Sequence, residues 1–265
     1  MIYNADCLEI LKTMESESVD CVVTDCPYQY HIVSGGCTND AVKIGRYREA
    51  GGVLNHKRYE ATAESEERAI DNTRKGKIFE HNDIEFDEWL PEVYRVLKDK
   101  AHCYVMINPR NLKNLWGGCE KAGFTFQNLL VWDKGNATPN KYYMNAYELI
   151  LMMRKGGAKN INDMGTQNIL RVPNITRVKK HPTEKPVDLM KILIQNSTKE
   201  NDVVMDLFMG AGATGVACRD LNRKFIGIEI DEKYFNIAKE RIECQGESQL
   251  SIFDLIGSET WQTAL

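Results

Sequence analysis

Short apolar runs alternate with amphipathic stretches along most of the chain, and their order predicts an α/β fold. Met1–Asn4 reads as a strand. Leu8, Leu11 and Met14 then recur at a spacing that suits a short helix over Cys7–Met14. Val19–Thr24 is almost continuously apolar, as in a strand buried on both faces of a parallel sheet. Phe86–Lys98 places Trp89, Val93, Val96 and Leu97 on one helical face. His102–Ile107 reads as the next strand, and Asn111–Ala122 as a helix that Gly123 closes. Phe124–Asp133 and Tyr147–Arg154 read as an antiparallel pair joined by the polar loop Lys134–Asn145. Further on come a helix over Glu184–Asn196 with Pro186 in its first turn, a strand over Asp202–Phe208 and a helix over Ala213–Leu221. A strand over Phe225–Ile230 and a helix over Asp231–Glu243 complete the pattern. Seven strands alternating with helices predict a mostly parallel sheet covered on both faces.

Two stretches break the pattern. His31–His81 is polar and glycine-containing for about fifty residues, with weak helical spacing only over Ala61–Ile70. Gly156–Lys180 is irregular and basic. A loop of the first length inside a compact domain is either functional or disordered. We therefore read residues 1–265 as one domain with substrate-contacting insertions at about 31–82 and 154–180. Leu250–Ile256 is expected to pack on the body.

Composition narrows the class. Hydrophobic content of 43% and charged content of 27% are those of an ordinary globular protein. The first ten residues lack the basic and apolar regions of a signal peptide, so a cytoplasmic location is expected, with no membrane partner. The eight cysteines include no CxxC pair, and Cys21 and Cys26, the nearest two, stand five apart; reduced thiols and no metal site are expected. A net charge of -4 argues against a general nucleic-acid binder, but the bases are unevenly placed. Lys43, Arg46, Arg48, Lys57 and Arg58 face only Glu49, and Lys159, Arg171, Arg177, Lys179 and Lys180 form a second group. Such clusters suit a phosphate-facing side, although a solvated surface has the same appearance.

Two stretches carry chemistry. The apolar run ending at Thr24 stops on Asp25, Cys26, Pro27 and Tyr28, which places a carboxylate, a bent backbone carbonyl and an aromatic face at a strand's carboxyl end. Those groups could grip a flat ring that bears an amine; a strand closed by a turn-forming Asp and Pro would also contain them. VVMDLFMGAGATG over Val203–Gly215 is a glycine loop between a strand and a helix, where Gly210 and Gly212 permit a tight turn and close approach of a ligand. It is neither a P-loop nor a good GxGxxG fingerprint, and a packing turn would also explain it. Glu229 ends the next strand about twenty residues later, where an acidic group can accept from ribose hydroxyls, while Asp231 suits a helix cap. Asp206, just before the loop, could meet an ammonium group. A nucleoside carrying an amino acid fits these groups better than NAD or ATP, and S-adenosyl-L-methionine is such a molecule.

Several motifs also resemble those of one family. Asp206–Gly212 resembles the cofactor loop, DPFxGSG, of the DNA amino-methyltransferases, and Asp25–Tyr28 resembles their catalytic motif, (D/N/S)PP(Y/F/W). His181–Pro186 resembles their HxTxKP segment, and Trp132–Lys134 and Tyr147–Glu148 resemble weaker motifs. With the catalytic motif first and the cofactor loop last, the order is that of the circularly permuted beta group. The likeness spans nearly the whole chain except His31–His81 and the far C-terminus.

The resemblance implies a Rossmann-like class I S-adenosylmethionine-dependent methyltransferase fold in a bacterial or phage-encoded enzyme. It implies catalysis by Asp25, Cys26, Pro27 and Tyr28. It also implies a cofactor site built from Asp6, Cys7, Asp25, His181, Thr183, Lys185, Asp206, Phe208, Gly210, Gly212, Ala213, Glu229 and Ile230. Asp6 would meet adenine, and Lys185 the cofactor's carboxylate. The implied reaction is site-specific methylation of the adenine N6 amine in double-stranded DNA, with Asp25 favouring adenine over cytosine within the family. The residues specify neither a homodimer nor a restriction endonuclease partner. Cys26 departs from the family's proline, and Ala213 from its small polar residue, for which Thr214 could compensate. An N4-cytosine or RNA amino-methyltransferase of the same fold, or an inactive nucleic-acid-binding homologue, is the rival reading. A NAD-dependent enzyme is a more distant one.

Replacing Arg46, Arg48, Lys57 and Arg58 (or, at the second cluster, Arg171, Arg177 and Lys179) with Ala is expected to weaken DNA binding and flatten its dependence on salt. Fluorescence anisotropy across a salt series checks this. Unchanged affinity and slope would make the clusters plain solvated surface.

Overall fold

A computed structural model describes residues 1–27, 84–138, 143–175 and 184–243. The two basic clusters, except Lys159 and Arg171, together with Tyr28, His181, Thr183 and the Leu250–Ile256 segment, lie outside the described residues. In chain order the elements are β1 (Ile2–Asn4), α1 (Cys7–Thr13), β2 (Val19–Asp25), α2 (Phe86–Val96), β3 (Leu97–Ile107), α3 (Leu112–Lys121) and β4 (Thr125–Thr138). There follow β5 (Asn145–Arg154), β6 (Ile169–Arg171), α4 (Val187–Ser197), β7 (Val203–Asp206), α5 (Ala213–Asp220), β8 (Lys224–Glu229) and α6 (Glu232–Glu243).

The strands form one sheet in the order β1-β8-β7-β2-β3-β5-β4-β6. The strands from β1 to β3 run parallel, and β5 pairs antiparallel with both β3 and β4. The described residues thus hold eight strands rather than the expected seven. The addition is β6, three residues inside the stretch read as irregular, which pairs parallel with β4 from Val131↔Ile169 to Asp133↔Arg171. Trp132 anchors the chain beyond it by donating its Nε1–H to the Val172 carbonyl at 2.7 Å. β3 also begins at Leu97, five residues before the apolar run, and Lys100 takes a φ of 62° there.

Alternation along the central strands builds two cores. Val22, Cys103, Val105, Leu149, Leu151 and Met153 face α1, α2 and α3, while Cys21, Val23, Tyr104, Met106, Ile150 and Met152 face α4, α5 and α6. A sheet covered on both faces needs such strands to be apolar on both sides, which is why they read as continuous runs. All six cysteines of the described residues are buried free thiols. Among the described residues no helix is long and apolar enough to cross a membrane.

Close packing near the glycine loop depends on missing side chains. Gly212 precedes α5 with a φ of 79°, and a Cβ there would lie 2.9 Å from the Cβ and 3.1 Å from the Cα of Ala238 in α6. Gly212 therefore serves helix packing as well as the turn, where a close approach to ligand was expected. Gly212→Ala should lower the free energy of unfolding by about 2–4 kcal/mol, combining a left-handed backbone with an overpacked contact. Urea titration measures it, and a loss below about 1 kcal/mol would contradict this contact as rigid.

Candidate active site at the carboxyl rim of the sheet

Parallel strands all point their carboxyl ends at one rim, and here β2, β7 and β8 deliver Asp25, Asp206 and Glu229 to it. Because β5 runs antiparallel to β3, with Ile107 opposite Leu149, it brings its early residue Glu148 to the same rim. β4 adds Lys134, just beyond the Trp132↔Glu148 pairing. Lys185 arrives from the turn before α4.

Asp25 and Lys185 form the centre. Lys185 Nζ lies 2.5 Å from Asp25 Oδ2 and 3.4 Å from Glu148 Oε2, and Lys134 Nζ lies 3.4 Å from Glu148 Oε1. Two ammonium groups and two carboxylates thus balance at the end of β2. Burial raises the Asp25 carboxyl above its ordinary range, and the Lys185 charge and hydrogen bond oppose that rise. Burial works against the Lys185 ammonium too, but the Asp25 and Glu148 carboxylates outweigh it and hold the ammonium above its usual range. Asp25 and Glu148 are thus two carboxylate partners of Lys185 within the chain.

Cys26 turns its side chain into the core, where its Sγ–H points at the Met106 carbonyl at 3.6 Å. Burial, together with the Asp25 charge, raises this thiol, so the sulfur is an anchor on β3 rather than a nucleophile. Cys7 is likewise buried, its thiol pushed up to about 12 by burial first and by Asp6 second.

Asp206 is a strut. Its Oδ1 accepts from the Thr24 hydroxyl at 2.8 Å and from the Phe208 N–H at 3.2 Å, and its Oδ2 accepts from the Thr214 hydroxyl at 2.7 Å. It is only 4% exposed, and it ties β2, the glycine loop and α5 together. Thr214 supplies the hydroxyl that Ala213 cannot, and Ala213 itself is buried.

The loop between β7 and α5 is held from three sides. Glu229 Oε2 accepts from Gly210 N–H at 2.8 Å, while its Oε1 accepts from Asp231 N–H at 2.9 Å. Each oxygen retains a second lone pair for a further donor. Burial raises the Glu229 carboxyl, and those N–H groups oppose the rise. Arg241 of α6 donates to the Ala211 carbonyl and pairs with Glu184 Oε1 at 2.9 Å. Phe208 sets its ring edge-on to Trp89 with centroids 5.5 Å apart. Asn4 donates to the Glu229 and Ile230 carbonyls at 2.9 and 3.1 Å, which brings β1 and Asp6 beside the exposed Ile230. Asp6 caps α1 by accepting from Leu8 N–H at 2.7 Å. Arg171 sits apart, exposed on the edge strand β6.

Thr24, Lys134 and Glu148 are the rim residues that a reading of single motifs passes over. Lys134 and Glu148 fall within the weak motifs at Trp132–Lys134 and Tyr147–Glu148; Thr24, read as the last apolar-strand position, carried no signal.

Asp206 also gives a pH signature. Burial lifts its carboxyl from 3.8 to about 6, against the hydrogen bonds that favour its charge. The folded chain thus holds this proton more tightly than the unfolded one. The contribution is full below pH 3.8 and lost as pH rises through 6. Relative to Asp206→Asn, wild type should lose about 3 kcal/mol of stability across that interval. Urea titrations of both proteins at a series of pH values measure the difference, and parallel curves would refute the assignment.

Comparison with known proteins matches the chain to one family. The model of the N6/N4 methyltransferase family, described as DNA methylase, matches residues 19–240. The type II methyltransferase M2.DpnII of Streptococcus pneumoniae is 28% identical over 269 residues, covering 94% of this chain and 91% of that protein. The crystal structure of the M1.HpyAVI–SAM complex superposes with a TM-score of 0.62 at 26% identity, covering 91% of this chain and 98% of the other. The cytosine-N4-specific PvuII DNA methyltransferase shares the fold, with a TM-score of 0.64 at 17% identity over 96% of this chain and 90% of its own. The family match covers most of the chain, and the chain belongs to the N6/N4 family of DNA methylases, which use S-adenosyl-L-methionine.

Proposed function

We propose that this chain is a single-domain, site-specific DNA methyltransferase that acts on the N6 amine of adenine in double-stranded DNA. The observation that carries the reading is the Asp25 carboxylate, set at the end of β2 and held by Lys185.

The rim suits S-adenosyl-L-methionine by the chemistry of its groups. Glu229 offers acceptor lone pairs to a ribose diol, Ile230 an exposed apolar face, and Asp6 the carboxylate oxygen that does not cap α1. Gly210 and Phe208 line the loop between them, with His181 and Thr183 assigned to the same site through their motif. Asp206 and Cys7 act from beneath by fixing that loop and α1. When bound, the cofactor supplies a methyl group already activated on a sulfonium. The protein's task is then alignment of an amine for in-line attack.

Adenine N6 is a weak nucleophile because its lone pair is delocalised into the ring. Lys185 engages Asp25 Oδ2, and we assign Oδ1 to one N–H of the amine and the Cys26 carbonyl to the other. Acceptance at both points draws the nitrogen toward tetrahedral geometry and stabilises the positive charge that develops there. Pro27 fixes the bend between those acceptors. Anchoring of the Cys26 sulfur on Met106 supplies part of the rigidity that a second proline would give. Tyr28 is assigned to stack on the base, which must leave the duplex to reach this rim. The insertions at about 31–82 and 154–180 are assigned to DNA contact.

A carboxylate accepts from cytosine N4 as well, so the choice of adenine rests on the aspartate in the motif. Asp25→Ala is expected to lower methyl transfer at least about a hundredfold while cofactor affinity changes little. Mass spectrometry of nucleosides from methylated DNA, with titration calorimetry for the cofactor, checks both. Full activity of the variant would remove Asp25 from the chemistry, and N4-methylcytosine as the sole product would overturn the adenine assignment.

A further inference from the structure

Glu148 has no part in the amine-binding arrangement above, yet it completes a line of groups that leads away from it. Asp25 Oδ2, Lys185 Nζ and Glu148 Oε2 follow one another at 2.5 and 3.4 Å, from three separate elements of the chain. The Lys185 side chain is 10% exposed, that of Asp25 24% and that of Glu148 31%, so Glu148 is the most open of the three. One carboxylate beside Lys185 is enough to balance its charge. The second gives it another proton acceptor, nearer to water.

Resting on the reading of this chain as an amine methyltransferase, the chemistry calls for such a group. As the amine lone pair forms the N–C bond and the departing sulfur keeps the electrons of the C–S bond, the nitrogen becomes positively charged. One N–H bond must then break, its electron pair returning to nitrogen and its proton leaving the site.

We propose that Asp25, Lys185 and Glu148 form the exit path for this proton, with Glu148 as the outer relay residue. Asp25 takes the proton from nitrogen on Oδ1, and a turn of its carboxyl group about Cβ–Cγ brings that O–H to Lys185. Lys185 passes one Nζ proton to Glu148 Oε2 as it accepts the proton from Asp25, so its own charge is unchanged. Glu148 then releases the proton to water. Lys185 and Lys134 face Glu148 directly and Asp25 stands behind Lys185.

Glu148→Gln keeps the size and one accepting oxygen but cannot take the proton. Single-turnover methylation of DNA by this variant should slow about tenfold or more, and formate should restore the rate in proportion to its concentration. Glu148→Asp should keep most of the rate. Cofactor affinity, and base flipping read from 2-aminopurine fluorescence, should stay within about twofold of wild type. A Glu148→Gln rate close to wild type, or a slow variant that formate does not restore, overturns the relay. Parallel loss of cofactor and base binding would make Glu148 a structural strut and overturn it equally. If wild type itself transfers no methyl group in the same assay, the methyltransferase reading fails instead, and the two failures are distinct.

Discussion

A carboxylate placed at the end of a buried strand loses much of its hydration, and the rim of this sheet is arranged around that cost. An isolated charge in such surroundings would take up a proton, and a protonated Asp25 could not accept from Lys185 and from an amine at once. Lys185 supplies the opposing charge at hydrogen-bond distance, and Glu148 and Lys134 extend the balance outward. The arrangement is one in which loss of a single partner is worse than loss of the pair, because the remaining charge stays behind uncompensated. The site is therefore best understood as four charges set together.

Connectivity explains how such distant residues meet. β1 lies parallel to β8, so the first strand extends the sheet beside the last. The amide of Asn4 and the N–H of Ala5 then lace the end of β1 to the end of β8. Asp6 thereby becomes a neighbour of Glu229 and Ile230, more than two hundred residues away in sequence. The antiparallel turn of β5 performs the same service for Glu148.

Much of this was legible in the chain. Continuous apolar runs at β2, β3 and β5 foretold a sheet buried on both faces, and the strand–loop–helix context of the glycines marked the rim. What escaped has identifiable causes. β6 is three residues long, too short for any periodicity to register. The start of β3 is polar because Lys98, Asp99 and Lys100 continue the strand past its buried part. The partner of Lys185 lies 160 positions away, so no local spacing could assign it. The inward turn of Asp206 depends on Thr24 and Thr214, two hydroxyls that look like ordinary strand and helix residues until the sheet brings them together.

The guanidinium of Arg241 touches both halves of the rim. One of its nitrogens holds the Ala211 carbonyl in the glycine loop, and another holds Glu184, the residue next to Lys185. Its side chain is 15% exposed and that of Glu184 6%, so the contact is shielded from solvent. The separation between the loop that would seat a methyl donor and the lysine that steadies the acceptor's carboxylate is thus gauged by one planar group on α6. A helix remote from the reacting atoms sets the span across which they must meet.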